Sequence, residues 1–85
     1  MSYFIYIVQC SDNTLYTGIT TDIKRRIDEH NNSQKGAKYT KLRRPVTLVY
    51  TETAEDRSQA SKREYAVKKL SRREKLELIN AENIC

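Results

Sequence analysis

The chain has 85 residues, 32% of them charged and 38% hydrophobic, with a formal net charge of +5 and one histidine. That length makes one small domain over 1–85, with a compact core and little room for a separate substrate-recognition domain. Its two cysteines form no Cys-x-x-Cys or Cys/His cluster, and its apolar run 4–10 is too short to cross a membrane and lacks the flanks of a signal peptide, so zinc and membrane classes fall away and a reducing, cytoplasmic setting is expected.

Residues 3–10, YFIYIVQC, are β-branched, aromatic and apolar nearly throughout, which suits a central strand covered on both faces, with Cys10 as a buried thiol and Cys85 as a frayed terminal one. Ser11-Asp12-Asn13-Thr14 is a turn, because Asp and Asn bond their own backbone and Asn tolerates the left-handed region. Leu15 to Ile19 returns as a second strand. A three-residue loop with Asn13 left-handed brings Tyr16 beside Val8 on the face of Tyr6, whereas a four-residue loop puts the two phenols on opposite faces. A shared site requires the first.

Thr21 or Asp22 caps a helix to about Asn31, with Ile23 and Ile27 as its buried stripe and Arg26 and His30 four apart on a neighbouring one. Residues 32–41 read as a loop. Arg43-Arg44-Pro45 leads into a third strand over 46–51. A second helix begins at 55–57 and runs to about Leu70, with Ala60, Val67 and Leu70 apolar and Glu64 on the same stripe. Ser71-Arg72-Arg73-Glu74 is a capping box opening a third helix, docked by Leu76 and Ile79. The order ββαβαα is an α+β fold, a small, mostly antiparallel three-stranded sheet flanked by helices.

Charge is concentrated. Residues 22–45 hold eight Lys/Arg against three Asp/Glu, and residues 57–75 hold eight against two. Either block alone reads as solvated helix surface. Two blocks, each beside a candidate site residue, point to nucleic acid, because clustered cations attract phosphates by charge and counterion release.

Hydrolysing a phosphodiester requires an activated water, neutralised phosphoryl charge, a stabilised leaving oxygen and fixed geometry. Glu64 is the best-placed carboxylate for a divalent cation, against the plainer alternative of an i,i+4 pair with Lys68. Arg26 can clamp a phosphate with two prongs, or lie solvated in the run Lys24-Arg25-Arg26. Tyr6 and Tyr16 can orient the water or accept its proton, which an unperturbed phenol does poorly at neutral pH, or they can simply pack with their hydroxyls at an edge. His30 can orient a tyrosine or phosphate or shuttle a proton, or sit as a cation at a helix C-terminus.

The set Tyr6, Tyr16-Thr17-Gly18, Arg26, His30-Asn31, Gly36-Ala37-Lys38-Tyr39-Thr40, Arg44-Pro45-Val46, Glu64 and Lys69-Leu70-Ser71 resembles the GIY-YIG nuclease superfamily over about residues 4–75, closest to its small stand-alone bacterial members. The resemblance implies a single GIY-YIG-like domain and a metal-dependent DNA endonuclease that cuts by water attack. It assigns Tyr6 to the water, Tyr16 to assist, Arg26 to the phosphate and Glu64 to one Mg²⁺ or Mn²⁺. His30 matches a position where His or Tyr is usual. Phe4 stands where the first motif has glycine. Ile19 stands where some nucleases carry Lys or His, which leaves open a non-catalytic basic nucleic-acid-binding module whose nuclease site has decayed; the small size of the domain leaves open a nuclease subunit that needs a protein partner to bring substrate.

Overall fold

Three strands, β1 (Tyr3–Gln9), β2 (Leu15–Thr20) and β3 (Thr47–Ala54), form one antiparallel sheet in the order β2-β1-β3. The structure, a computed structural model, describes residues 2–33 and 35–83, so the expectation for Cys85 lies outside the described residues. The central strand reads as an apolar run because it is covered on both sides: Ile5, Tyr6, Ile7 and Val8 are all buried.

The hairpin takes the three-residue turn. Cys10 bonds Thr14 across it, Asn13 sits at φ 67, and Asp12 accepts from the backbone and hydroxyl of Thr14. Val8 therefore opposes Tyr16 and Tyr6 opposes Gly18. On that face Tyr6, Val8, Cys10 and Val46 form a core cluster with Tyr16, Ile23 and Ile27 packed against it. The two isoleucines belong to α1 (Ile23–Asn32), whose N-cap is Asp22, accepting from the Arg25 N–H. The opposite face carries Ile7, Tyr50, Val67 and Ile79, from the sheet, α3 (Arg57–Lys68) and α4 (Arg72–Asn83).

Three expectations need correction. The segment 32–41 is not all loop: Lys38–Lys41 form a single helical turn, α2, held against the end of α1 by tertiary contacts. β3 starts at Thr47 and continues to Ala54, because Glu52, Thr53 and Ala54 keep pairing with β1, and the Glu52 charge is met by Arg63. In α4 the docking residues are Ile79 and Leu78, whereas Leu76 is exposed. The Ser71–Glu74 capping box forms as expected, each side chain accepting from the other's backbone N–H. Among the described residues no helix is long and apolar enough to cross a membrane.

Candidate active site

Tyr6 projects from the central strand across its partner Gly18, so its ring reaches toward the edge strand β2. A Cβ on residue 18 would lie 2.5 Å from the phenol oxygen and 2.7 Å from the carbon that bears it. The glycine is therefore the space into which the hydroxyl fits.

The Tyr6 hydroxyl is 2.7 Å from His30 Nε2, and His30 Nδ1 is 2.8 Å from Thr40 Oγ1. Thr40 Oγ1 in turn lies 2.9 Å from the Ala37 carbonyl. All three side chains are fully buried or nearly so. Tyr16 packs its ring against His30 edge-on, with centroids 5.4 Å apart, and stacks on Tyr39, over which the Arg43 guanidinium lies at 3.9 Å.

Burial pushes the Tyr6 pKa up to about 12, against the opposing pull of the Arg26 guanidinium, one turn before His30. The Arg26 guanidinium also bonds Glu29 at 2.9 Å and the Lys35 carbonyl at 2.9 Å. Burial, with help from Arg26 and Arg44, depresses the His30 pKa to about 4. Both groups are therefore neutral at pH 7. Tyr6 packs in the core with its hydroxyl bonded to His30, and the neutral imidazole adds no charge to the end of α1.

That terminal role belongs to Arg44. Its guanidinium donates to the carbonyls of His30 at 2.5 Å, Glu29 at 3.3 Å and Ser33, closing the end of α1. Asn31 adds a second tie: its amide donates to the Val46 carbonyl and its oxygen accepts from the Val46 N–H. Gly36 lets the following segment pass close, since a Cβ there would meet the Glu29 carbonyl oxygen at 2.7 Å and His30 Cα at 3.0 Å. Arg44, Asn31 and Gly36 thus fix where His30 stands.

Glu64 comes from α3, on the far face of the sheet from α1. Its charge is a minor contribution at the Tyr6 phenol, where it opposes ionisation. The carboxylate pairs with Lys68 at 3.5 Å and stays partly accessible. The structure thus brings Tyr6, Tyr16 and His30 into contact, with Arg26 one turn before His30, whereas the ion pair of Glu64 is with Lys68 and not with this cluster. Among the described residues no group of three or more His, Cys, Asp or Glu gathers to hold a metal. A lone accessible carboxylate fits an ion such as Mg²⁺ or Mn²⁺, which keeps several waters and takes its remaining ligands from substrate phosphate. Ile19 opposes Ile5 in the hairpin, so alternation puts its side chain on the face away from Tyr6 and Tyr16.

Thr40, Gly36, Arg44 and Asn31 had no role assigned from sequence. Their contacts lie six to fifteen residues apart through mostly irregular chain, which no periodicity encodes.

Comparison with known proteins adds the ancestry of this arrangement. A family described as the GIY-YIG catalytic domain matches residues 2–77. A UPF0213 protein of Desulfotalea psychrophila is 66% identical over 80 residues, covering 94% of this chain and 73% of its own length. One from Staphylococcus saprophyticus is 58% identical over 78 residues, covering 92% of this chain and 94% of its own. Among solved structures, a solution structure of an Enterococcus faecalis protein superposes with a TM-score of 0.68 at 44% identity, covering 100% of this chain and 90% of that one. A UPF0213 protein of Bacillus halodurans gives 0.61 at 47% identity, covering 95% and 85%.

Proposed function

The chain belongs to the GIY-YIG family, and on that premise we propose that it is a metal-dependent endonuclease that hydrolyses phosphodiester bonds in DNA by direct attack of water. The observation that carries this reading is the buried phenol of Tyr6, 2.7 Å from His30 Nε2 and within the field of the Arg26 guanidinium and the Glu64 carboxylate.

A phenol at about 12 does not exist as phenolate at neutral pH. Tyr6 therefore works as a fixed hydrogen-bond acceptor for the attacking water rather than as a pre-formed base. Arg26 sits beside it with a planar fork able to hold a non-bridging phosphate oxygen, once that oxygen displaces its present carbonyl partner at Lys35. Tyr16, edge-on to His30 and stacked on Tyr39, forms a wall of the site. Glu64 is the residue that would hold the divalent ion. A bound Mg²⁺ or Mn²⁺ supplies positive charge to the phosphoryl group and acidifies a coordinated water. The basic blocks 22–45 and 57–75 supply the non-specific attraction that brings a phosphate backbone to the site.

The apolar Ile19 takes nothing from the Tyr6 side of the sheet, which favours the catalytic reading over a binding module that has lost its site. The deciding experiment is a cleavage assay with Mg²⁺ or Mn²⁺ over linear, branched and single-stranded DNA and RNA, with Glu64→Ala as control. Metal-dependent cutting that vanishes in Glu64→Ala, with binding retained, supports the nuclease. Salt-dependent binding without cutting at any metal concentration supports the binding module instead.

A further inference from the structure

The hydroxyl of Tyr6 has a direction as well as a position, and the residues around it determine that direction. The Tyr6 hydroxyl is buried, and its hydrogen-bond partner among the described residues is His30 Nε2, at 2.7 Å. A buried hydroxyl proton needs an acceptor, so it goes to Nε2; the Arg26 guanidinium, whose charge is felt at the phenol, has only donors to offer. Nε2 accepts only when it is bare, and a neutral imidazole with bare Nε2 carries its proton on Nδ1. That proton points at Thr40 Oγ1, 2.8 Å away. Thr40 can receive it because its own hydroxyl proton has an acceptor in the Ala37 carbonyl at 2.9 Å. Read from either end, the chain runs one way: Tyr6 O–H to Nε2, Nδ1–H to Thr40, Thr40 O–H to Ala37.

We propose that Thr40 is a positioning residue that sets the tautomer of His30, and through it makes the Tyr6 oxygen an acceptor toward whatever enters the site. This rests on the nuclease reading for its consequence but not for its geometry. Without the Thr40 hydroxyl, a proton on Nδ1 would be a buried donor lacking an acceptor, a condition native proteins avoid more strictly than an unpaired acceptor. The imidazole proton then moves to Nε2, which donates to the Tyr6 oxygen. The phenol proton is turned outward, and the group that should receive a hydrogen bond from the attacking water offers one instead. Among the described residues, the charged groups felt at the imidazole offer no free proton acceptor: Arg26 and Arg44 are cations, and Glu29 is engaged by Arg25 and Arg26.

His30 is the only histidine in the chain, so its two ring nitrogens can be observed alone by long-range proton–nitrogen NMR on untagged, labelled protein. The wild type is expected to carry the proton on Nδ1, Thr40→Val to carry it mostly on Nε2, and Thr40→Ser to return it to Nδ1. With cleavage established, Thr40→Val should lower kcat about 10- to 100-fold, the usual loss when a group that orients another is removed, with KM little changed and most of kcat restored by Thr40→Ser. A wild type protonated on Nε2 overturns the proposal, and it does so even if Thr40→Val fails to fold. A Thr40→Val protein that keeps the proton on Nδ1 overturns it too. A switched tautomer with unchanged kcat removes the role in the reaction. A switched tautomer in a chain whose wild type cuts nothing leaves the tautomer assignment standing and sinks the nuclease reading alone.

Discussion

Gly18 and Tyr6 occupy each other's space: the phenol oxygen lies where the first side-chain carbon of residue 18 would be, 2.5 Å from its ideal position. Gly18→Ala cannot be absorbed by a flexible side-chain end, because the ring carbon behind the oxygen is also only 2.7 Å away. The ring must tilt off His30. We expect a loss of about 1–3 kcal/mol in urea unfolding from overpacking, and a fall of about 100-fold in kcat from misplacement of the hydroxyl. Tyr6→Phe removes the closest atom, so Gly18→Ala should cost less stability in that background; an equal cost in both would show that the hydroxyl is not what the glycine accommodates.

Arg44 offers a test of scaffold against chemistry. Its guanidinium serves three carbonyls at the end of α1, a fork that lysine cannot imitate. Arg44→Ala and Arg44→Lys are both expected to lower stability by about 2–4 kcal/mol, since buried carbonyls lose charge-assisted partners. Thermal or urea unfolding checks this. Full recovery with lysine would mean that charge alone closes the helix.

Acid should weaken the fold before the carboxylates titrate. His30 moves from an ordinary 6.5 to about 4 on folding, so the unfolded chain binds the extra proton first. Stability is complete above pH 6.5 and declines as pH falls toward 4, by up to about 3 kcal/mol. Asp12, Glu52 and Glu74, whose pKa values are lowered by hydrogen bonds and arginine partners, add their losses only as pH falls below the ordinary carboxylate range. Urea unfolding at pH 7 and pH 5 isolates the histidine: His30→Gln should flatten the slope between them.

Glu64→Gln should separate function from folding. The pair with Lys68 is partly exposed and worth at most about 1 kcal/mol, so unfolding should hardly change. Metal-dependent cleavage should vanish while DNA binding persists or rises slightly, one negative charge having gone. Retained cleavage would remove Glu64 from the site.

Arg26→Lys keeps the charge and loses the fork. Cleavage should fall about 10- to 100-fold, as when one preorganised donor is withdrawn, while the salt dependence of binding should stay nearly the same because the count of cations is unchanged.

The hairpin was legible because local chemistry dictates it: Asp12 and Asn13 choose the turn, the turn chooses the register, and the register puts Tyr6 and Tyr16 on one face. The stripe Ile23/Ile27 and the capping box at Ser71 were readable for the same reason, each being complete within one or two helical turns. The single turn at Lys38–Lys41 was not readable, since four residues cannot be helical on propensity alone and are held by their fit against α1. Nor was the Thr40–His30 bond, because a threonine and a histidine ten residues apart carry no sign in sequence that one will fix the proton of the other.

The tip of the first hairpin is gripped from both later parts of the chain: Arg43 holds Asp12 at 3.0 Å, and Arg72, 59 residues away, donates to the Asn13 carbonyl at 2.6 Å. A contact of such long sequence separation closes late, after the loop between its ends has been collapsed by other packing. The hairpin that carries both tyrosines can therefore form early yet gains its last restraint only on docking of the final helix. Through Arg72 the seating of α4 is felt at the tip of the ribbon that carries both phenols, although α4 itself packs on the other face of the sheet.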